Sequence, residues 1–253
     1  MKKAIILVVG LLALSATTAF AQSGLNLYVG DCGGGTTTST VTNACTTNTG
    51  TAMTLVGSIV LPSSMADFVG CAAIVDVQTD AATIPDWWRG DGAGCRSGAI
   101  TGLMDATVSP SSSTVWDGLS NILPVFAVQP NDPTRTGNDV PVSRVRLNMG
   151  AAQSSTTGSA LTADGSTELG VVKFTITKAK SVGAGACTGC ATPACIVLNE
   201  INIQPVSTSE PWIRITNALG NNHIAYNNGL VLACPSAVPV KNHTWGEIKA
   251  LYR

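Results

Sequence analysis

Glu168-Leu-Gly-Val-Val-Lys-Phe-Thr-Ile-Thr177 and Cys195-Ile-Val-Leu-Asn-Glu-Ile-Asn-Ile203 are the two stretches that decide the fold. In the first, apolar and polar side chains alternate from Val172 onward, which is typical of a β-strand with one buried face. The second is also apolar, but its phase slips midway, so we expect a β-bulge near Asn199 or Glu200. Two long strands joined by a cysteine-containing loop predict the centre of a β-sandwich.

Other stretches of the chain have similar strand patterns. They predict further strands at Leu25–Val29, Met53–Leu61, Asp67–Val77, Ile84–Gly90, Ile122–Val128, Val142–Met149, Trp212–Thr216 and His223–Tyr226. Pro124 places its strand at a sheet edge, and Asn228-Gly229 predicts a tight hairpin. The stretch 102–120 is ambiguous, and 150–165 is interpreted as a polar linker. The inner face of the third strand is expected to hold Val69, Cys71, Ala73, Val75 and Val77.

The composition supports an all-β fold. Charged residues make up 11% of the chain, with 14 basic and 15 acidic side chains and no basic cluster. Few helix-forming Glu, Lys and Arg residues favour strands and polar loops over helices. We predict a single antiparallel β-sandwich, jelly-roll-like or similar, with disulfide-pinned loops. The missing basic cluster argues against nucleic acid as a partner.

The first residues predict export. Lys2 and Lys3 precede an apolar run, and Ala19-Phe-Ala21 ends it with small residues, as in a secretory signal peptide cut after Ala21. We therefore expect a signal peptide at 1–21, a β-sandwich domain at 22–239 and a helical tail at 240–253. No later run of about 18 apolar residues predicts a membrane span. The expected location is secreted, periplasmic or extracellular, in a bacterium.

All eight cysteines follow the signal peptide, in a context where disulfides persist. We expect them to form four bridges: Cys32, Cys45, Cys71, Cys95, Cys187, Cys190, Cys195 and Cys234. The pairings that we expect are Cys32–Cys45, Cys71–Cys95, and one of Cys187, Cys190 and Cys195 with Cys234. Zinc is the alternative for the Cys-x-x-Cys pair in the loop before the second central strand.

The C-terminal tail differs from the rest of the chain. Thr244-Trp-Gly-Glu247 is a capping-box pattern that predicts the start of a short helix. Its apolar stripe forms the expected interaction surface: Trp245, Ile248, Leu251 and Tyr252. Because so short a helix is marginal alone, we expect it to dock, either on its own sandwich or on another molecule.

The sequence contains no signature of a common enzyme class, such as Gly-x-Ser-x-Gly, a phosphate-binding loop or His-Glu-x-x-His. His223 and His243 have no Cys, Asp or Glu at metal-ligand spacing and are interpreted as structural. A glycoside hydrolase needs paired carboxylates, for which Asp86 and Asp117, each beside a tryptophan, are the candidates. Calcium binds oxygen ligands from loops, and the acidic loop residues that could supply them are Asp132, Asp139, Asp164 and Glu168. The other interpretation is that these residues are ordinary solvated loop acids, and no cofactor is then expected.

Four tryptophans are the candidate binding residues. Adjacent residues on a strand point to opposite faces, so one of the first two would be core and the other exposed. Aromatic faces stack on sugar rings, and a sugar-binding platform is therefore one interpretation, with core packing as the other. The four residues are Trp87, Trp88, Trp116 and Trp212.

The order of these features resembles the cohesin-like and carbohydrate-binding-module-like β-sandwiches of secreted bacterial proteins. The similar stretches are Leu55–Val60, Leu169–Ile176, Ile196–Ile203 and the hairpin at Asn228-Gly229, within roughly 55–232. The resemblance implies a sheet face that binds a protein or a glycan without catalysis. The whole chain is also similar to uncharacterised exported proteins of environmental bacteria, which transfers no function.

We therefore expect a secreted structural or binding module rather than an enzyme. Its partner would be a protein, another copy of the chain or a glycan. Association by strand addition at a sheet edge, or by docking of the C-terminal helix, follows from the exposed edge and the amphipathic tail. The alternatives are a carbohydrate-binding module that uses exposed tryptophans and, next, a glycoside hydrolase.

Overall fold

The computed structural model describes residues 23–32, 39–130, 142–154, 157–207 and 210–228. Twelve strands lie in these ranges: β1 (Gly24–Val29), β2 (Thr40–Val41), β3 (Met53–Val60), β4 (Met65–Thr79), β5 (Ile100–Leu103), β6 (Ile122–Pro130), β7 (Arg144–Gln153), β8 (Ser159–Leu161), β9 (Glu168–Ile176), β10 (Ala194–Pro205), β11 (Ile213–Ile215) and β12 (His223–Tyr226). The predicted signal peptide, Cys234, the returning hairpin strand and the tail at 240–253 lie outside the described residues.

The strands form two sheets. The smaller has the order β1-β3-β9-β5, and the larger has the order β2-β12-β10-β4-β7-β6, with β11 added to β10 and β8 to β4. All the strand pairs are antiparallel except β2 with β12, which is parallel. The predicted all-β sandwich is confirmed, and its two central strands, β9 and β10, belong to opposite sheets.

The core lies between the two sheets. Phe126 on β6 meets Phe174 on β9 with ring centroids 6.1 Å apart. At the centre, a Cβ built on Gly57 of β3 would lie 3.1 Å from Leu198 Cδ2 of β10, so only hydrogen fits there. The inward side chains of both sheets are almost completely buried, as expected for close packing of two sheets.

The pattern in the central strands is confirmed in detail. The pairing of β10 with β4 shifts between Leu198 and Glu200, which is the bulge that the phase slip predicted. On β4, the expected core positions from Cys71 to Val77 are buried. Val69 is the exception: Phe68 is buried in its place, because the register shifts again between Gln204 and Pro205.

The predicted strand at Ile84–Gly90 is wrong. After Pro85, the chain forms a 3₁₀ turn at Asp86–Trp88, and both tryptophans are buried. Successive side chains in a 3₁₀ turn are about 120° apart, not 180° as on a strand, so both rings can face the core. Their centroids lie 4.8 Å apart in a T-shaped contact.

The disulfides differ from the expected pairings. Cys45 pairs with Cys190, and Cys95 pairs with Cys187, each with a Cα–Cα distance of 5.9 Å. Cys195 is also disulfide-bonded. The expected Cys32–Cys45 and Cys71–Cys95 bridges are therefore wrong, and Cys32 and Cys71 are free thiols. The expected pairing with Cys234 lies outside the described residues.

The positions of the two free thiols explain this outcome. Cys71 points from β4 into the core and lies 3.9 Å from Met104 Sδ, away from the loop that contains Cys95. Cys32 lies between Ser109 Oγ at 2.8 Å and Ser112 Oγ at 2.9 Å. Neighbours in sequence were thus not neighbours in space.

Three short strands occur where the sequence pattern was weak. β2 lies in 33–51, which is rich in Gly and Thr, β5 overlaps the start of the ambiguous stretch 102–120, and β8 lies in the expected polar linker 150–165. The expected edge position of the strand with Pro124 is confirmed, because β6 ends the larger sheet. Within the described residues, no helix is long and apolar enough to cross a membrane.

Candidate functional site

The outer face of the larger sheet has an apolar depression that we call the outer trough. Its position follows from the strand register. One row across the sheet pairs Leu123 with Ala152, Ala152 with Gly70 and Gly70 with Gln204. β11 lies on the other side of β10. Because Ile203 pairs with Ile213, the same register places Trp212 beside Gln204, at the far side of this row. Large apolar residues thus stand on both sides of small ones.

The walls of the outer trough are exposed to solvent. Leu123 and Val125 on β6 are 64% and 71% exposed, and Trp212, just before β11, is 59% exposed. The volume of the trough is about 270 Å³. Exposed large apolar residues that face each other across a depression are typical of an interaction surface.

The floor of the outer trough is made of small residues. Ala72 of β4 and Gly150 of β7 pair in the second row, with Val125 on one side and Asn202 on the other. A Cβ built on Gly150 would have only Cys71 O, at 3.8 Å, within contact distance. A ligand segment can therefore approach the backbone of the floor closely.

The opposite end of the same face is charged. Asp76, which is 3% exposed, accepts a hydrogen bond from Arg146 Nε at 2.8 Å and one from Arg144 Nη1 at 3.1 Å. These three side chains come from β4 and β7, the strands that also form the trough floor. The face therefore changes from apolar to ionic along its strands, and only its apolar end is a candidate for docking another apolar surface.

The prediction of a sugar-binding platform is wrong for three of its four tryptophans, because they are buried. Trp87, Trp88 and Trp116 are 1%, 0% and 0% exposed. Trp87 Nε1 donates to Ser181 Oγ at 3.1 Å, and Trp116 Nε1 donates to Val171 O at 2.7 Å, so both serve the core. Trp212 alone of the four is exposed. A carbohydrate platform of several tryptophans is thus excluded by burial.

The acidic candidates are engaged in local hydrogen bonds. Asp117 accepts from Thr114 N at 2.9 Å and from Thr114 Oγ1 at 2.8 Å, and Asp86 accepts from Thr188 Oγ1 at 3.4 Å. Asp164 accepts from the backbone of Ser166 at 2.8 Å, in a loop turn. Among the described residues, no three His, Cys, Asp or Glu side chains are grouped for a metal ion. Asp132, Asp139 and His243 lie outside the described residues.

Three side chains of the smaller sheet donate hydrogen bonds to Glu168, one of the acidic residues considered for calcium. Asn26 Nδ2, Tyr28 Oη and Ser58 Oγ donate to its carboxylate, at 2.6, 2.9 and 2.5 Å. Burial, together with the hydrogen bond to Glu168, raises the pKa of Tyr28 far above its usual value. The network covers the outer face of β1, β3 and β9, and it is a polar cluster that the sequence did not predict. Its groups satisfy each other, which favours a structural role.

His223 lies on β12 without a catalytic partner in the described chain. Its Nδ1 is buried and has no hydrogen-bond partner there, and burial lowers the pKa of the imidazole. A general base needs an orienting group, so this geometry does not supply one.

Comparisons with known proteins add little to this description. No protein-family model matches the sequence, and no curated protein sequence matches it. A cohesin module from the family 33 glycoside hydrolase of Clostridium perfringens ATCC13124 is similar in structure over 81% of this chain and 98% of that module. The identity is 11% and the TM-score is 0.34. So low a TM-score carries no argument about function.

Sequence reasoning found one wall of the outer trough and missed the rest. Trp212 is a candidate from the sequence because its aromatic face can stack on a ligand, and it is the first residue of the predicted strand Trp212–Thr216. Leu123 and Val125 belong to a predicted edge strand, but their outward direction depends on the register with β7. Gly150 and Ala152 were placed in a linker, although β7 continues through both. The signal that was available is the alternation from Arg144 to Ala152, in which every second residue faces outward.

Proposed function

We propose that this chain is a non-catalytic binding module of the cell exterior whose copies associate. In this proposal, the segment 244–252 of one copy docks in the outer trough of another. The observation that carries the proposal is the trough itself, which has two exposed apolar walls, a floor of small residues and no group that covers it among the described residues.

The width of the trough fits one helix. Four strand spacings separate β6 from β11, or about 19 Å between backbones. Side chains from both walls reduce this to roughly the 10–12 Å diameter of an α-helix with its side chains. The small floor lets the helix lie close to the sheet, which increases the apolar area that docking removes from water.

The tail of the chain has the matching chemistry. Its predicted helix presents Trp245, Ile248 and Leu251 on one stripe. The nine residues 244–252 would be about 14 Å long as a helix, and the two rows of the trough at Gln204 and Asn202 cover about 7 Å of this length along β10. An amphipathic helix laid into an apolar groove is a common recognition mode.

The charged end of the larger sheet favours a second copy as the acceptor. Tyr226 pairs with Ala194, and the trough lies near Gln204, ten residues further along β10, or about 33 Å away. The residues 229–243 span at most about 50 Å, so length alone allows the tail to reach its own trough or a neighbour's. To reach its own trough, the tail would have to cross the ionic cluster of Asp76, Arg144 and Arg146, which a neighbour placed head to tail avoids.

Strand addition at β6 is less favourable than docking on the face. Pro124 and Pro130 have no backbone N–H. They are an even number of residues apart on β6, so the nitrogen atoms of both point the same way. Because neither can donate to β7, both point away from β7, toward the open edge of the sheet. The outer edge of β6 thus lacks hydrogen-bond donors at two positions, which disfavours pairing with a strand of another molecule.

An exterior location is supported by the disulfides. They join residues 145 and 92 positions apart and tie loops of both sheets together. Such bridges persist in oxidising compartments and are rare in reducing ones. With the predicted signal peptide at 1–21, they favour a secreted or periplasmic chain.

Light scattering after size-exclusion chromatography of oxidised 22–253 tests the proposal. We expect concentration-dependent assembly that is lost when 240–253 are deleted. Trp212→Ser should weaken assembly about 30- to 150-fold, because burying the exposed part of an indole contributes about 2–3 kcal/mol. Gly150→Leu should block assembly by filling the floor, without loss of thermal stability.

The matched control is Thr101→Leu, which adds the same side chain on an exposed position of β5 in the other sheet. It should leave assembly unchanged. A full-length chain that stays monomeric at millimolar concentration contradicts docking between copies. If the truncated chain then binds an added 240–253 peptide that the full-length chain does not bind, the tail occupies its own trough.

A further inference from the structure

A cavity at one end of the sandwich has no role in the proposed association. It lies where β1 and β9 end and β3 begins, opposite the ends of β2 and β12, and its volume is about 330 Å³. We call it the end cavity. The Cys45–Cys190 bridge fixes the segment that leads from β2 to β3 and forms one wall. The size is at the lower end of the range for small-molecule sites.

The walls of the end cavity are mainly apolar. Val29, Val41 and Met53 are partly buried around it, and Ile176, Trp87 and Tyr226 are buried behind them. Trp87 and Tyr226 stack with ring centroids 5.5 Å apart, which makes a rigid aromatic base. A ligand that fills the cavity therefore has an apolar body.

The base is already rigid because its polar groups are satisfied. Tyr226 Oη donates to Cys190 O at 2.9 Å and accepts from Asn43 Nδ2 at 3.0 Å. Asn43 itself is held by Asn227 Oδ1, which accepts from its backbone N–H at 2.7 Å. A preformed site loses little conformational freedom when a ligand binds.

The charges around the end cavity are positive. Lys178 lies at the rim, and its Nζ would be 3.8 Å from a Cβ built on Gly50. Within the described chain it makes no ion pair, and no acidic side chain lines the cavity. Behind the base, the Arg96 guanidinium carbon lies 3.7 Å from the Trp87 ring centroid. Lys178 at the rim favours a negative head group at the mouth, and Arg96, which does not line the cavity, adds positive potential only from behind the base.

We propose that the end cavity binds a small organic anion with an apolar body, of the alkyl or aryl carboxylate class. The body lies against Met53 and the Trp87–Tyr226 base, and the carboxylate faces Lys178. The site is independent of the outer trough, which lies near the other end of β10.

Calorimetry with octanoate and octan-1-ol tests the proposal on oxidised 22–253. Octanoate should bind in the millimolar range or tighter, and about fivefold more tightly than the neutral alcohol, as one partly exposed ion pair allows. Lys178→Gln should remove this preference and keep alcohol binding. Ala52→Phe should fill the cavity and abolish binding of both probes.

Two further variants make every outcome decisive. If Ala52→Phe does not fold, Thr51→Trp closes the mouth from the exposed rim and should have the same effect. Trp212→Ser in the outer trough should leave both affinities unchanged. The proposal is overturned if octanoate does not bind, if it binds no better than the alcohol, or if the filled variants still bind it.

Discussion

Arg96 is a buried cation whose removal should destabilise the whole cavity end of the fold. It is 1% exposed and forms no ion pair within the described chain. Instead it donates to three backbone carbonyls: Nε to Ala179 O at 2.9 Å, Nη1 to Trp87 O at 2.7 Å, and Nη2 to Thr177 O. Burial lowers its pKa to about 10, so the guanidinium keeps its charge at neutral pH.

The magnitude follows from these contacts. Arg96→Met keeps most of the apolar stem but leaves three carbonyls without a donor, at about 1–3 kcal/mol each. Losing the stacking on Trp87 adds up to about 2 kcal/mol. Removing a buried charge offsets several kcal/mol of this loss, since its desolvation was unfavourable. We expect a net loss of about 3–5 kcal/mol of unfolding free energy.

Guanidinium chloride unfolding of the oxidised protein, followed by far-UV circular dichroism, measures this loss. Arg89→Met is the matched control, because Arg89 is nearby in the chain but is partly exposed and pairs with one carboxylate, that of Asp91, Nε to Oδ1 2.7 Å. It should cost about 1–2 kcal/mol, less than the loss at Arg96. Arg96→Lys should fall between them, since one ammonium cannot replace a planar fork of donors. Equal losses for the two Met variants would refute the reasoning.

The remaining predictions concern the thiols and a buried phenol. Alkylation without reductant, followed by peptide mapping, should label Cys32 in the native protein and Cys71 only after unfolding, because Cys71 is 5% exposed and burial raises the pKa of its thiol. Label on Cys45 or Cys95 would contradict the observed bridges. Burial raises the pKa of Tyr226 to about 12. The protonated phenol therefore contributes fully to the free energy of unfolding below about pH 10, and this contribution is lost as the pH rises toward 12. Tyr226→Phe should remove this late step from an absorbance titration, and an unchanged titration would contradict it.

The regular parts of the fold could be predicted because alternation reports directly on burial. The bulge of β10 was visible as a phase slip near Asn199, since inserting one residue must exchange the two faces of a strand. The turn at Trp87 and Trp88 was not visible, because two adjacent aromatic residues fit a strand with one exposed ring equally well. Only the three-dimensional position of the segment after Pro85 decides between them.

The disulfides and the outer trough depend on which strands are neighbours, which local patterns do not contain. Cys45 and Cys190 meet because β2 pairs with β12, and Tyr226 of that strand contacts the carbonyl of Cys190. The walls and floor of the trough exist only when five strands, β6, β7, β4, β10 and β11, pair in one register. Sequence alone assigned Trp212 a binding role from its residue type, which did not say what lies opposite.

The two candidate sites are held by different kinds of interaction, and this follows from where they lie. The end cavity is bordered by loops rich in Gly, Thr and Ser, which bury too little apolar surface to order themselves, so covalent bridges and the Arg96 hydrogen bonds fix them. The outer trough lies on paired strands, where the backbone ladder fixes Leu123, Val125 and the floor, and Trp212 directly precedes the first ladder residue of β11. A ligand of the cavity therefore depends on the oxidised state of the chain, whereas docking in the trough depends on the register of the larger sheet.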